Sequence, residues 1–298
     1  MSESTMLSHE QIHRFHRDGY LAVDRVLDEQ ELAEARQVVD EFREQSRQLT
    51  RDDATFVLEP THAGDSPQLA RINNPVKVHP LFERIMRSAA VLDVVAALIG
   101  PDVRYHHSKL NMKTAGVGSA VEWHQDFVFF PHTNDDVLAV GIALDDCTPE
   151  NGCLLVIPGS HRGPILDHHQ DDVFVGAVPG DSPELAREKQ VPVIVPAGGM
   201  SIHHSRTLHA SAPNRSNRPR RLLLIEYAAA DAWPIGVDVK LDEFHSRVVR
   251  GQPTRRARMM QLDFQMRQRG LAGSIFELQT KLQKSSFGGA QPAAMAGM

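Results

Sequence analysis

Asn151-Gly152-Cys153-Leu154-Leu155-Val156-Ile157-Pro158-Gly159-Ser160 is a short apolar run closed at each end by a turn signal. Asn-Gly and Pro-Gly-Ser both favour chain reversal, and the run between them has the length of a strand rather than of a helix. The pattern repeats along the middle of the chain. Residues 137–144, 191–195, 200–204 and 222–227 are further short apolar segments, and Ala197-Gly198-Gly199 marks another turn. Short strands at this spacing predict a β-sandwich or barrel. Between them, residues 165–190 are polar and rich in Asp and Pro, which reads as a long excursion off the barrel.

Outward from this core the character changes. Ser8-His9-Glu10-Gln11 fits a capping box ahead of Ile12 and Phe15, and Asp18-Gly19 ends that helix before a short buried strand at 20–23. Leu32, Ala35, Val39 and Phe42 recur on one face of a second helix that starts at Asp28. Residues 47–70 are polar and irregular, and a loop is expected there. Pro80 opens another helical region that runs to Gly100, a good C-terminal stop. Residues 255–284 look helical, and the Gly-, Ala- and Ser-rich end from 285 to 298 is expected to fray. The expectation is one domain over 1–298: helical support to about residue 100, a β core over 101–230, and a helical tail over 231–298.

Composition narrows the function. The chain has 298 residues, 41% hydrophobic and 23% charged, with a net charge of −6. That is ordinary for a soluble globular protein, argues against nucleic acid as a partner, and offers no polybasic patch for a membrane. No apolar run approaches the roughly 20 residues of a membrane span. The start of the chain carries no secretory signal pattern. With only Cys147 and Cys153 present, a disulfide framework is not expected, and a reducing cytoplasm is. Nothing in the sequence sets the oligomeric state.

Chemistry enters with His124-Gln125-Asp126. Alternate residues of a strand share a face, so His124 and Asp126 can offer an imidazole and a carboxylate to one ion while Gln125 points elsewhere. Trp123, Phe127, Phe129 and Phe130 surround the pair, and an unpaired buried Asp126 would be costly in such a shell. A strand-end histidine beside a solvated aspartate is the plainer alternative. A third ligand must come from another strand. His209 leads, followed as it is by Arg218-Pro219-Arg220-Arg221; His106, His107, His203 and His204 compete. Two imidazoles and a carboxylate suit Fe(II) with three positions open, and a nearby arginine suits a dicarboxylate co-substrate. Alternation does not choose between Arg220 and Arg221.

At this point the sequence resembles the phytanoyl-CoA dioxygenase family, which also includes the ectoine hydroxylases, over roughly residues 8–230. The likeness rests on Phe15-His16-Arg17-Asp18-Gly19-Tyr20, Trp123-His124-Gln125-Asp126, Asn151-Gly152-Cys153-Leu154 with Ile157-Pro158-Gly159-Ser160-His161, and His209-Ala210-Ser211 through Arg220. The resemblance implies a double-stranded β-helix, a jelly-roll or cupin-like core with flanking helices. It implies Fe(II) held by His124, Asp126 and His209, and 2-oxoglutarate bound by Arg220, Ser211, Asn111 and Gln125. It implies O2-dependent oxidation of a small-molecule substrate, with release of succinate and CO2. Phe130 matches an aromatic substrate contact of the ectoine branch. His107 and His203 depart from that branch, which counts against ectoine as the substrate; with Lys109 and Arg206 they remain pocket candidates. An intact carboxylate at 126 favours hydroxylation or another oxidation over halogenation, and no general base is required. Residues 47–70 and 165–190 are candidate lids. The rival readings are an acyl-CoA 2-hydroxylase, a zinc hydrolase on the same triad, and a barrel that only binds a ligand.

Overall fold

The computed structural model describes residues 6–116, 118–267 and 275–287. Its strands, in chain order, are β1 (Tyr20–Val23), β2 (Phe56–Leu58), β3 (Leu69–Asn73), β4 (Val103–Lys113), β5 (Val121–His124), β6 (Val137–Ala143), β7 (Leu154–Val156), β8 (His169–Gln170), β9 (Val173–Phe174), β10 (Val191–Val193), β11 (Met200–His204), β12 (His209–Ser211), β13 (Arg220–Ala229) and β14 (Val248–Arg250). A major sheet runs β1-β11-β6-β13-β4-β3-β2, with β14 also on β4, and a minor sheet runs β10-β7-β12-β5. The pairings are antiparallel, as in β12 with β5 and β13 with β4.

Alternation along β13 explains the layers. Leu223, Ile225 and Tyr227 turn to one face and join the large core beneath helices α2 (Glu29–Gln45) and α5 (Ala89–Ile99). Leu222 and Leu224 turn to the other and meet Val156 and Val193 of the minor sheet. The apolar fill between the sheets thus sits midway along this face of β13, and the even-numbered positions that flank it, Arg220 and Glu226, are the polar ones. This is the double-stranded β-helix that the resemblance implies. α5 buries Ala90, Val91, Leu92, Val94, Val95, Leu98 and Ile99, so it is a core helix with no wet stripe.

Local signals near the N-terminus form as read. Ser8 caps helix α1 (His9–Asp18) reciprocally with Gln11, and Asp28 caps α2 with Glu31. Gly19 ends α1 at φ +81°, where a Cβ would lie 2.4 Å from His161 Nδ1 and 2.5 Å from Thr207 Oγ1. Only glycine avoids both the φ strain and that collision.

Three expectations need correction. Residues 47–70 are not one loop: β2 lies in the middle and β3 begins at the end, and both extend the major sheet, because Phe56 and Leu69 bury against the helical layer. Residues 165–190 do not leave the barrel: the β8–β9 hairpin returns Phe174, Val175, Ala177 and Val178 to buried positions. The expected helix over 255–284 is α7 (Ile275–Gln279) alone among the described residues, and 255–267 carry no regular structure. That stretch is held instead by individual anchors such as Phe264 against Phe127 and Arg258 on Asp136 and Asp231. Residues 288–298, expected to fray, lie outside the described residues. Both cysteines are buried free thiols, and among the described residues no helix is long and apolar enough to cross a membrane.

Candidate metal centre and co-substrate pocket

β5 and β12 are neighbours in the minor sheet, with His209 directly opposite His124. Their rings lie 4.1 Å apart. Gln125 continues in extended conformation beyond β5, so Asp126 returns to the same side. His124 Nε2 is 3.6 Å from Asp126 Oδ1, and His209 Nε2 is 3.7 Å from Asp126 Oδ2. The ligand atoms of His124, Asp126 and His209 all lie within 4.8 Å of one another, and all three residues are buried.

The backbone fixes which nitrogen faces inward. His124 Nδ1 donates to its own strand at Glu122 O (2.7 Å), and His209 Nδ1 donates to Thr207 O (2.9 Å). Each Nε2 is therefore left as a lone pair aimed at Asp126, the arrangement that metal-binding imidazoles adopt. Burial, with His124 and His203 beside it, holds the His209 pKa well below the usual imidazole range, so it is neutral. Burial acts against the Asp126 carboxylate. His209, Lys109 and contacts from His124 and His203 outweigh it, and the group stays ionised. An ionised carboxylate with two imidazole Nε2 atoms converging on it fits a divalent cation.

Arg220 lies deeper in the barrel at the start of β13. It is 4% exposed and lies against Cys147 and Cys153, its Nε has no partner, and among the described residues no carboxylate forms an ion pair with it. Burial raises the Cys153 thiol to about 11, so the neighbouring sulfurs are not counter-ions. Arg221, which alternation could not separate from it, points the other way and forks onto Asp145. The structure thus separates Arg220, a buried guanidinium with no ion-pair partner among the described residues, from the paired Arg221.

The other candidates divide. Ser211 Oγ donates to Gly152 O (2.8 Å), where the Asn151-Gly152 turn meets β12. Asn111 faces inward from β4 and accepts from Arg71. His203 on β11 donates through Nε2 to Asp126 Oδ2 at 3.1 Å, and its ring is 4.2 Å from that of His209. Phe130 packs on His107 (4.4 Å), while His107 Nε2 and Lys109 Nζ both reach Glu226 Oε1, at 3.2 and 3.3 Å. Gln125 and Arg206 are turned elsewhere. Gln125 donates to Pro164 O and Arg206 O and accepts from Leu166 N, so its amide is used in holding the 164–166 backbone. Arg206 is paired with Asp135 and Gly163 O.

A second histidine–carboxylate group, His106, His107 and Glu226, also lies close together. The Lys109 ammonium on the same Glu226 oxygen disfavours a cation there. Glu226, Arg71 and Glu122 were not singled out from the sequence. The signal for the first two was present: each is a lone charge inside an apolar strand, which burial makes expensive unless it has a task.

The motif stretches meet behind the metal site. Gly159 N donates to Asp18 O, His161 contacts His16 O, and Thr207 Oγ1 donates to Gly19 O. Thr207 is the residue whose carbonyl orients His209. The Asp-Gly helix end and the Pro-Gly-Ser-His turn therefore form a brace for His209.

Residues 15–222 match the family model for phytanoyl-CoA dioxygenase (PhyH). The chain belongs to the phytanoyl-CoA dioxygenase family. It is 34% identical over 248 residues to a probable alpha-ketoglutarate-dependent hypophosphite dioxygenase of Stutzerimonas stutzeri, covering 82% of this chain and 86% of that protein. It is 30% identical to the L-proline trans-4-hydroxylase of Streptomyces griseoviridis, covering 72% and 84%. Among solved structures it is similar to iron-bound EctD from S. alaskensis, with a TM-score of 0.66, 26% identity and coverage of 87% and 89%. With this membership and the His-Asp-His group, this PhyH-family protein is an Fe(II)- and 2-oxoglutarate-dependent dioxygenase.

Proposed function

We propose that His124, Asp126 and His209 hold the iron of this oxygenase, that Arg220 takes the far carboxylate of 2-oxoglutarate, and that the reaction oxidises a small polar molecule. The observation that carries the assignment is the convergence of three buried ligand atoms in one barrel with a buried guanidinium that has no ion-pair partner among the described residues. When bound, iron with 2-oxoglutarate supplies the O2-dependent oxidation and yields succinate and CO2. The chain's own residues bind, orient and exclude water. Glu122 O and Thr207 O fix the imidazole tautomers. His203 holds one Asp126 oxygen and so sets the carboxylate plane. Phe127, Phe129 and Phe174 pack beside the triad and keep the site dry. Ser211 and Asn111 share the interior with Arg220, and Lys109 and His107, on the same face of β4 as Asn111, continue that wall to Phe130.

A small substrate is supported by the relatives at 30% identity or more over most of their length, whose names specify hypophosphite and L-proline. The test is an anaerobic Fe(II) titration followed by a substrate screen that measures succinate release. Stoichiometric succinate with one small polar compound supports the reading. A protein that binds iron but never consumes 2-oxoglutarate refutes it.

A further inference from the structure

Arg71 occupies a place that the iron and its co-substrate do not explain. On β3 it lies directly opposite Asn111 of β4, and opposed residues of an antiparallel ladder project from the same face. That face is the barrel interior, since Asn111 is level with Leu222, which packs between the sheets. Arg71 is 8% exposed. Its Nε donates to Asn111 Oδ1 at 2.9 Å, and the Phe276 ring of α7 covers the guanidinium at 4.9 Å. Among the described residues no carboxylate forms an ion pair with it. The carboxylate it senses, Glu226, already holds Lys109 and His107. Burial lowers the Arg71 pKa to about 10, so it is charged at neutral pH.

A buried cation without a counter-ion is costly, and such a group is usually offset by a ligand or lost. On that reading Arg220 would hold the far carboxylate of the co-substrate, which leaves Arg71 without a role in binding it. The charges around the pocket agree. Iron, Asp126 and Arg220 are neutralised by the dianion of 2-oxoglutarate. Lys113 Nζ is taken up by the carbonyls of Ser119, Ser211 and Ala212, and burial raises Glu59 to about 7. Arg71 and Lys109 against Glu226 then leave one positive charge.

Resting on the oxygenase reading above, we propose that Arg71 anchors the substrate and that the substrate is a small monoanion bearing a carboxylate or similar oxyanion. The guanidinium offers its two terminal nitrogens as a planar fork, with Nε held by Asn111 and one face closed by Phe276. Lys109 adds a second cation on the neighbouring strand.

The experiment uses full-length protein loaded anaerobically with Fe(II), in wild-type, Arg71→Gln and Arg71→Lys forms. Calorimetry measures 2-oxoglutarate binding first. Hypophosphite, acetate and methanesulfonate are then titrated into the 2-oxoglutarate complex, with acetamide as the neutral control. At least one anion binds the wild type and acetamide does not. Arg71→Gln weakens that anion at least tenfold and 2-oxoglutarate less than threefold. Arg71→Lys keeps the charge without the fork and loses an intermediate amount, which preserves the comparison if the glutamine variant does not fold. If 2-oxoglutarate binds the wild type but none of the anions does, the anchor proposal falls and the oxygenase reading stands. Parallel loss of anion and 2-oxoglutarate in both variants makes Arg71 a co-substrate or structural residue and also overturns it. Absence of 2-oxoglutarate binding in the wild type defeats the underlying reading instead.

Discussion

Replacing Arg220 with methionine separates affinity from stability in a way few substitutions do. The guanidinium is buried, its Nε is unpartnered, and no carboxylate pairs with it among the described residues. In the co-substrate complex it would form a forked, charge-assisted pair, and such hydrogen bonds contribute roughly 1.5–3 kcal/mol each. Removing one partner of a buried pair costs about 2–5 kcal/mol. A central value near 3–4 kcal/mol corresponds to roughly a 10²- to 10³-fold rise in the Kd for 2-oxoglutarate, at about 1.4 kcal/mol per factor of ten. The apoprotein should respond in the opposite sense. It carries a desolvated charge with no return, and an apolar chain of similar length removes that cost. The melting temperature of apo Arg220→Met should therefore match or exceed that of the wild type. Iron affinity should change less than threefold, since Arg220 makes no contact with the triad. Calorimetry with 2-oxoglutarate, an anaerobic iron titration and a thermal melt of the metal-free protein give the three numbers. Equal losses of iron and 2-oxoglutarate affinity, or a melt lowered by many degrees, would refute the assignment.

His203→Gln removes the ring beside His209 and alters the donor to Asp126 Oδ2. Loss of such outer partners typically costs 10- to 100-fold in metal affinity, so an iron titration should show a drop in that range with the melt of the apoprotein little changed. Stability should fall with acid. Burial lowers His132 to about 4 and His168 and His204 to about 3. The unfolded chain binds these protons near pH 6.5 and the folded chain does not, so their neutral burial is free of penalty above about pH 6.5 and increasingly penalised below it. At pH 5 each contributes a loss of about 2 kcal/mol; a denaturation midpoint that is flat from pH 7.5 to 5 contradicts this. Gly19→Ala forces a Cβ into His161 and Thr207 at a φ of +81°. It should lower stability by more than about 1 kcal/mol, and it should weaken iron binding because Thr207 orients His209. A melt and an iron titration check both.

What the sequence made legible follows from how local each signal is. Capping boxes, the Asn151-Gly152 and Pro158-Gly159 turns and the short apolar runs act over a few residues, and each of those elements forms near its expected place. His124 and Asp126 are readable for the same reason, since strand alternation alone puts them together. His209 was reachable through the residues that follow it, but its pairing opposite His124 is a property of the sheet. Polarity alone does not decide whether a stretch stays exposed. Residues 165–178 carry His168 and His169, yet His168 is buried, where it accepts from Gln125 N and donates to Leu166 O. A polar side chain enters an interior whenever its hydrogen bonds are met there, and that condition depends on a partner 43 residues away. Arg71 and Glu226 show the converse. Each looks like a lone charge in an apolar strand, and only the ladder reveals that both point into the same barrel as His124, Asp126 and His209. A charge that composition treats as noise becomes informative once register shows which face it is on.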